Sequence, residues 1–128
     1  MVKILGIDYG EKKVGIAISD EKGKMAFPNC VLRNSGTLAL DILNLAKKEG
    51  VSIIVLGESR DFGGRANPVM AAIQKLKGEL ERRGFTVRLQ QEYSSSVEAR
   101  RFQGENDMHD ASAAAIILQR YLDTHINL

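Results

Sequence analysis

An apolar stretch near the amino terminus ends in one carboxylate, and this feature most constrains the fold. Residues 2–7 have the pattern of a strand buried on both faces, and Asp8 follows them between Gly6 and Gly10. Open α/β sheets bind their ligands where such a strand ends. A carboxylate there is costly unless it is paired, hydrogen-bonded or bound to a metal. Asp8 is therefore either a site residue or a turn residue that bonds its own backbone.

The composition is typical of one globular domain. Hydrophobic residues make up 44% and charged residues 27% of the 128 residues, so we expect a single domain over residues 1–128. No run approaches the roughly 18 apolar residues that cross a membrane, and the amino terminus lacks a secretory signal. We therefore expect a cytoplasmic protein with no membrane partner. Cys30 has neither a disulfide partner nor zinc-ligand spacing, and we interpret it as a small apolar filler.

The first half of the chain predicts three consecutive antiparallel strands. After the first strand, residues 14–20 and 25–32 predict two more, joined by a hairpin turn over residues 21–24. Pro28 is expected to interrupt the third strand, because proline cannot donate a ladder hydrogen bond.

The second half alternates helices and strands. A helix closed by Gly50 precedes a buried strand over residues 51–57, and a helix that begins at Pro68 precedes a half-exposed edge strand ending at Glu92. Two helices follow, the last beginning near Asp110 with many alanines that let it lie close to a sheet. The predicted fold is α/β, with three antiparallel and two parallel strands in one mixed sheet and helices on both faces.

Three carboxylates converge in this architecture. Right-handed crossovers place the first, fourth and fifth strands side by side, so Asp8, Glu92 and Asp110 emerge at the same sheet edge. Three carboxylates at one point cannot all stay ionised without cations. Oxygen-only clusters suit Mg²⁺ or Mn²⁺, and two such ions about 3.5–4 Å apart are a common device of phosphodiester hydrolysis. Taken alone, Asp110 is also explained as a helix N-cap worth about 1 kcal/mol.

Basic residues accompany these acidic positions along the sequence. A polyanion could contact them around a carboxylate centre, although each pair taken singly is better explained as solvated surface charge. The candidates are Lys12, Lys13, Arg60, Arg65, Arg100 and Arg101.

Nearly the whole chain resembles a known family. The resemblance is carried by GIDYGEKKVGIA over residues 6–17, the strand end at 55–57, Glu92 followed by serines, and DASAA over residues 110–114. The family comprises Holliday-junction resolvase-like proteins, also described as nucleases of precursor small-subunit rRNA, within the ribonuclease H-like superfamily. The resemblance implies that Asp8, Glu92 and Asp110 are catalytic carboxylates that bind Mg²⁺ or Mn²⁺, with structured RNA or branched DNA as substrate. Lys13 stands where the family usually has arginine.

The chain departs from the family pattern near the expected site. Gln91 and Tyr93 flank Glu92 where the family has charged residues, Ser59 replaces a proline, and residues 106–108 lack a lysine. Loss of these charges favours an alternative function, that of a non-catalytic ribonuclease H-like module that binds structured RNA or a protein. Sugar kinases and actin-like ATPases share a similar strand-Asp-x-Gly turn but need two such domains. A junction resolvase needs two sites and an rRNA nuclease one, so both a monomer and a homodimer are compatible.

Glu58 is an additional candidate ligand. The fourth strand separates the first from the fifth, whose axes are then about 9–10 Å apart. Glu58 leaves the end of that strand beside Asp8, and other ribonuclease H-like nucleases carry a carboxylate there. We interpret Glu58 either as an auxiliary metal ligand or as an exposed loop acid beside Arg60.

Overall fold

The computed structural model shows one mixed sheet with helices on both faces, and it describes residues 3–59, 68–92 and 107–127. The strand order is β3-β2-β1-β4-β5. β1 pairs antiparallel with β2 and parallel with β4, so the predicted architecture is confirmed. The strands are β1 (Lys3–Asp8), β2 (Lys13–Ser19), β3 (Ala26–Arg33), β4 (Val51–Ser59) and β5 (Thr86–Glu92). The helices are α1 (Leu38–Glu49), α2 (Pro68–Arg82) and α3 (Asp107–His125).

Two hydrophobic cores lie on opposite sides of the sheet. Because side chains alternate along a strand, Leu5 and Ile7 of β1 lie on one face of the sheet and Ile4 lies on the other. We call these the α1/α2 face and the α3 face, after the helices that cover them. The first core joins β1, β2, β4 and β5 to Leu38, Ile42, Leu43, Ala46, Ile73, Leu76 and Leu80. The second joins Ile4, Ala17 and Val55 to Ala114, Ile117, Leu118, Tyr121 and Leu122.

The hairpin of β2 and β3 contains an irregularity close to the predicted one. Pro28 stays in register with Ala17, and Ile16 pairs with Cys30, so Asn29 is the extra residue of a bulge. The interruption therefore falls one residue after Pro28. Cys30 packs against the α1/α2 core, and burial raises the pKa of its thiol, in agreement with its interpretation as a filler.

Most predicted element boundaries agree with the structure. Gly50 ends α1 with φ 71°, a left-handed conformation that glycine adopts without strain. α2 begins at Pro68, and β5 is an edge strand that ends at Glu92, both as predicted. β4 extends to Ser59, two residues beyond the predicted end. The helix predicted after the serine run lies outside the described residues.

The start of α3 corrects one prediction. α3 begins at Asp107, so Asp110 is its fourth residue and not its N-cap. Its N-cap explanation is therefore wrong, because Asp110 lies within the first turn. Although α3 has 19 residues, no helix in the described part of the chain combines the length and hydropathy of a membrane span.

Small residues let α3 lie close to the sheet. Ala111, Ala113 and Ala114 are fully buried, as the alanine-rich sequence predicts. A Cβ atom added at Gly6 would lie 2.7 Å from Leu118 Cβ and 3.2 Å from the Ala114 carbonyl oxygen. Gly6 therefore fixes how closely α3 approaches β1.

Gly6→Ala should lower the free energy of unfolding by about 1–3 kcal/mol, because the added methyl group overpacks this contact. Urea unfolding measures the change. Gly78→Ala in α2 is the matched control: nothing lies within 4 Å of the added Cβ, so the substitution should stabilise the protein by about 0.5–1 kcal/mol. Equal unfolding midpoints for Gly6→Ala and the unmodified protein would contradict the close packing.

Candidate active site

Asp8 is a buried carboxylate at the end of the central strand. It is the last residue of β1, and the residue is only 6% exposed. It pairs with Gly15 of β2, and because Ile7 pairs with Leu56, the adjacent residue at this level of β4 is Gly57. Asp8 thus lies between two residues without side chains, on the α3 face with Ile4 and Gly6. Neither neighbouring strand therefore places a side chain beside the carboxylate.

The turn after Asp8 is held by the end of β3. The Asn34 side-chain amide donates a 2.8 Å hydrogen bond to the Gly10 carbonyl oxygen, and the Asn34 backbone N–H donates one of 2.9 Å to the Lys12 carbonyl oxygen. A Cβ atom at Gly10 would clash with the Lys13 carbonyl oxygen. Glycine is therefore required here for close backbone approach. Sequence reasoning missed Asn34, because its role depends on which strand lies beside β2.

Glu92 occupies the end of β5 at the same sheet edge. Gln90 pairs with Gly57, which is level with Asp8, and Glu92 pairs with Ser59 two residues further along. By alternation, position 92 belongs to the strand series of the α3 face. Position 58 belongs to the series of Ile54 and Leu56, on the α1/α2 face. Position 92 thus shares the face of Asp8 and position 58 does not, and the metal-binding roles of Glu92 and Glu58 stay predictions.

Asp110 lies toward the same edge through the packing of α3. Gly6 touches Ala114 and Leu118, whereas the later residue Gln119 bonds Ala26 at the opposite edge, so α3 runs antiparallel to β1. Position 110 is one turn before Ala114, about 6 Å along the helix. Asp8 is two residues after Gly6, about 6.6 Å along the strand in the same direction. The backbones therefore bring positions 8 and 110 to the same level.

An open, cationic groove adjoins this edge. Lys12 and Lys13 are exposed on its wall with Arg33 and Asn34, and its volume is about 580 Å³. Two of the predicted phosphate-binding residues thus lie beside the turn that follows Asp8. The other four, Arg60, Arg65, Arg100 and Arg101, lie outside the described residues.

The donor set is compatible with a hard divalent cation. Among the side chains that the structure describes, no three acidic, histidine or cysteine groups come together, so the candidate set depends on the backbone positions of Glu92 and Asp110. All three candidates are carboxylates, the oxygen ligands that Mg²⁺ and Mn²⁺ prefer. A buried Asp8 without flanking side chains fits such an ion.

Solved structures resemble this chain in fold. "T. thermophilus RuvC in complex with Holliday junction substrate" superimposes with a TM-score of 0.64 at 15% identity, covering 98% of this chain and 96% of that one. The fold is that of the RuvC-like resolvases, which have the ribonuclease H fold.

Sequence comparison identifies the family. The model of the family described as "RuvX: Holliday junction resolvase" matches residues 2–124, and the chain belongs to this family. A protein of Bordetella parapertussis named "Putative pre-16S rRNA nuclease" is 36% identical over 124 residues, covering 94% of this chain and 93% of that protein. One of the same name from Endomicrobium trichonymphae is 36% identical over 136 residues, covering 96% of both. The family resemblance predicted from the sequence is confirmed.

Without metal, Asp8→Asn should keep or raise the melting temperature, because it removes a buried charge from an edge shared with two other carboxylate positions. Thermal unfolding in a chelator measures the effect. Adding Mg²⁺ should then raise the melting temperature of the unmodified protein more than that of Asp8→Asn, since a ligand of the folded state stabilises it. A clear loss of stability in the chelator would instead identify Asp8 as a structural turn residue.

Proposed function

We propose that this protein is a metal-dependent endonuclease that hydrolyses phosphodiester bonds in structured nucleic acid. One observation carries the proposal: a buried aspartate ends the central strand at the edge where β5 ends in Glu92 and α3 begins beside Asp110. Family membership supports the same activity, because the relatives are named nucleases.

The three carboxylates are the proposed metal ligands. Asp8 would take the central position, with Glu92 contributed by the end of β5 and Asp110 by the first turn of α3. Bound Mg²⁺ or Mn²⁺ would activate a water molecule and neutralise charge on the leaving oxygen. The protein's contribution is to fix these carboxylates on two strands and a tightly packed helix.

Recognition of the substrate depends on its backbone. Lys12 and Lys13 are exposed beside the turn that follows Asp8, where they can hold phosphates on either side of the scissile bond. Phosphate contacts position a substrate but do not read its sequence. The proposed enzyme therefore recognises the shape of a folded or branched nucleic acid.

The relatives favour precursor 16S rRNA as the substrate. The proteins named for this activity are 36% identical to the chain over nearly their whole length, whereas the RuvC bound to a Holliday junction is 15% identical and supports the fold alone. Processing of one rRNA end needs one site, so a monomer would suffice. Resolution of a DNA junction would need two sites, and the experiment below includes that substrate.

The purified protein should cleave an RNA that spans the 5′ end of 16S rRNA with its precursor leader, and only when Mg²⁺ or Mn²⁺ is present. Gel analysis of end-labelled RNA and of a four-way DNA junction of matched length measures cleavage. Asp8→Asn should lose at least about 100-fold in rate, because it removes a carboxylate that the transition state requires. Asp41→Asn in the first turn of α1, on the other face of the sheet, should cleave at the normal rate.

Two results would contradict the proposal. Cleavage of neither substrate, with binding intact, would favour the non-catalytic module that Gln91 and Tyr93 suggest. Undiminished cleavage by Asp8→Asn would show that Asp8 is not an active-site residue. Faster cleavage of the DNA junction than of the RNA would still support a metal-dependent nuclease, but with branched DNA as its substrate.

A further inference from the structure

Two like charges face each other across the hairpin at the Asp8 edge. Lys13 is the first residue of β2 and Arg33 the last of β3, and the two pair in register. Both side chains are exposed. Two cations on one face of a sheet can bind one anion between their side chains.

The bulge in β3 creates this pairing. Counting from the Ser19–Ala26 pair, an uninterrupted hairpin would place Leu32 opposite Lys13. Arg33 would then belong to the α1/α2 face, because a one-residue slip moves every side chain to the other face. The extra residue Asn29 returns Arg33 to the face that carries Asp8. Bulges are common beside active sites, where they re-aim a side chain in this way.

The groove beside the pair has the chemistry of a nucleic-acid backbone site. Lys12, Lys13 and Arg33 contribute three positive charges, and Glu11 contributes one negative charge. Asn34 and two half-buried apolar residues of β3, Val31 and Leu32, complete the lining. Cations complement phosphates, and apolar side chains can pack against sugars. The volume of about 580 Å³ lies within the range of small-ligand sites and is large enough for a short stretch of one strand.

We propose that this groove binds the sugar-phosphate backbone of a nucleic-acid strand next to the site of cleavage, with Arg33 and Lys13 on a shared phosphate. The inference rests on the proposed nuclease function and adds Arg33 as a binding residue. β3 is two strand spacings from β1, about 9–10 Å. Arg33 therefore contacts a phosphate beside the reacting one, and its role is in binding and not in the chemistry.

Binding in a chelator over a series of salt concentrations tests the groove without cleavage. The probes are one labelled RNA hairpin with a single-stranded extension and a DNA of the same sequence. Arg33→Gln should weaken binding about 5–10-fold near 0.1 M salt and flatten the slope of log affinity against log salt by about 0.7–0.9, the value for one lost phosphate contact. Arg33→Lys should restore the slope, because lysine keeps the charge. A larger loss with one probe identifies the type of strand that the groove prefers.

Arg83→Gln is the matched control. Arg83 is an exposed arginine in the turn before β5, at the opposite edge of the sheet, and its loss should leave affinity and slope unchanged. Unchanged binding by Arg33→Gln, or an equal loss of affinity in Arg83→Gln, would contradict the proposal that this groove binds nucleic acid. This result is separable from the proposed function. If the protein binds through Arg33 but cleaves neither substrate with Mg²⁺, the proposed binding groove is supported and the proposed nuclease activity is contradicted.

Discussion

The structure depends on the burial of one charge at the end of its central strand. Asp8 is 6% exposed, and a buried carboxylate is destabilising unless its surroundings compensate. Glycine stands at the same level of both neighbouring strands, so neither strand places a side chain beside the carboxylate. The proposed cation site depends on this buried carboxylate at the end of β1.

Close packing of α3 on the sheet brings a second carboxylate position to the level of Asp8. Because Gly6 has no side chain, α3 packs close to β1. A Cβ atom added at Gly6 would lie only 2.7 Å from Leu118 Cβ. Buried Ala111 and Ala114 continue this contact toward the amino end of α3, which brings Asp110 to the level of Asp8. In the next turn toward the carboxyl end, the Gln119 side chain accepts a 2.8 Å hydrogen bond from the Ala26 N–H and donates one of 2.9 Å to the Lys24 carbonyl oxygen. α3 is thus held both to β1 and to the start of β3.

The sequence predicted the elements well because their signals are local. The apolar strand before Asp8, Gly50 after α1 and Pro68 at the start of α2 each reflect short-range backbone chemistry. The start of α3 was placed three residues late, because the N-cap preference of aspartate suits Asp110 and also the earlier Asp107. The proposed binding role of Arg33 was missed for a different reason. Its face depends on one extra residue in β3, and hydrophobic alternation alone does not reveal such a bulge.

The central claim is that Asp8, Glu92 and Asp110 together hold a divalent cation. Anomalous diffraction from crystals grown with Mn²⁺ tests it most directly, because the signal locates the metal independently of any activity. The account predicts a peak about 2.0–2.2 Å from a carboxylate oxygen of Asp8, with oxygens of Glu92 and Asp110 completing the coordination of that ion or of a second one about 3.5–4 Å away. Well-ordered carboxylates with no peak at Asp8, or Glu92 and Asp110 directed away from it, would contradict the account.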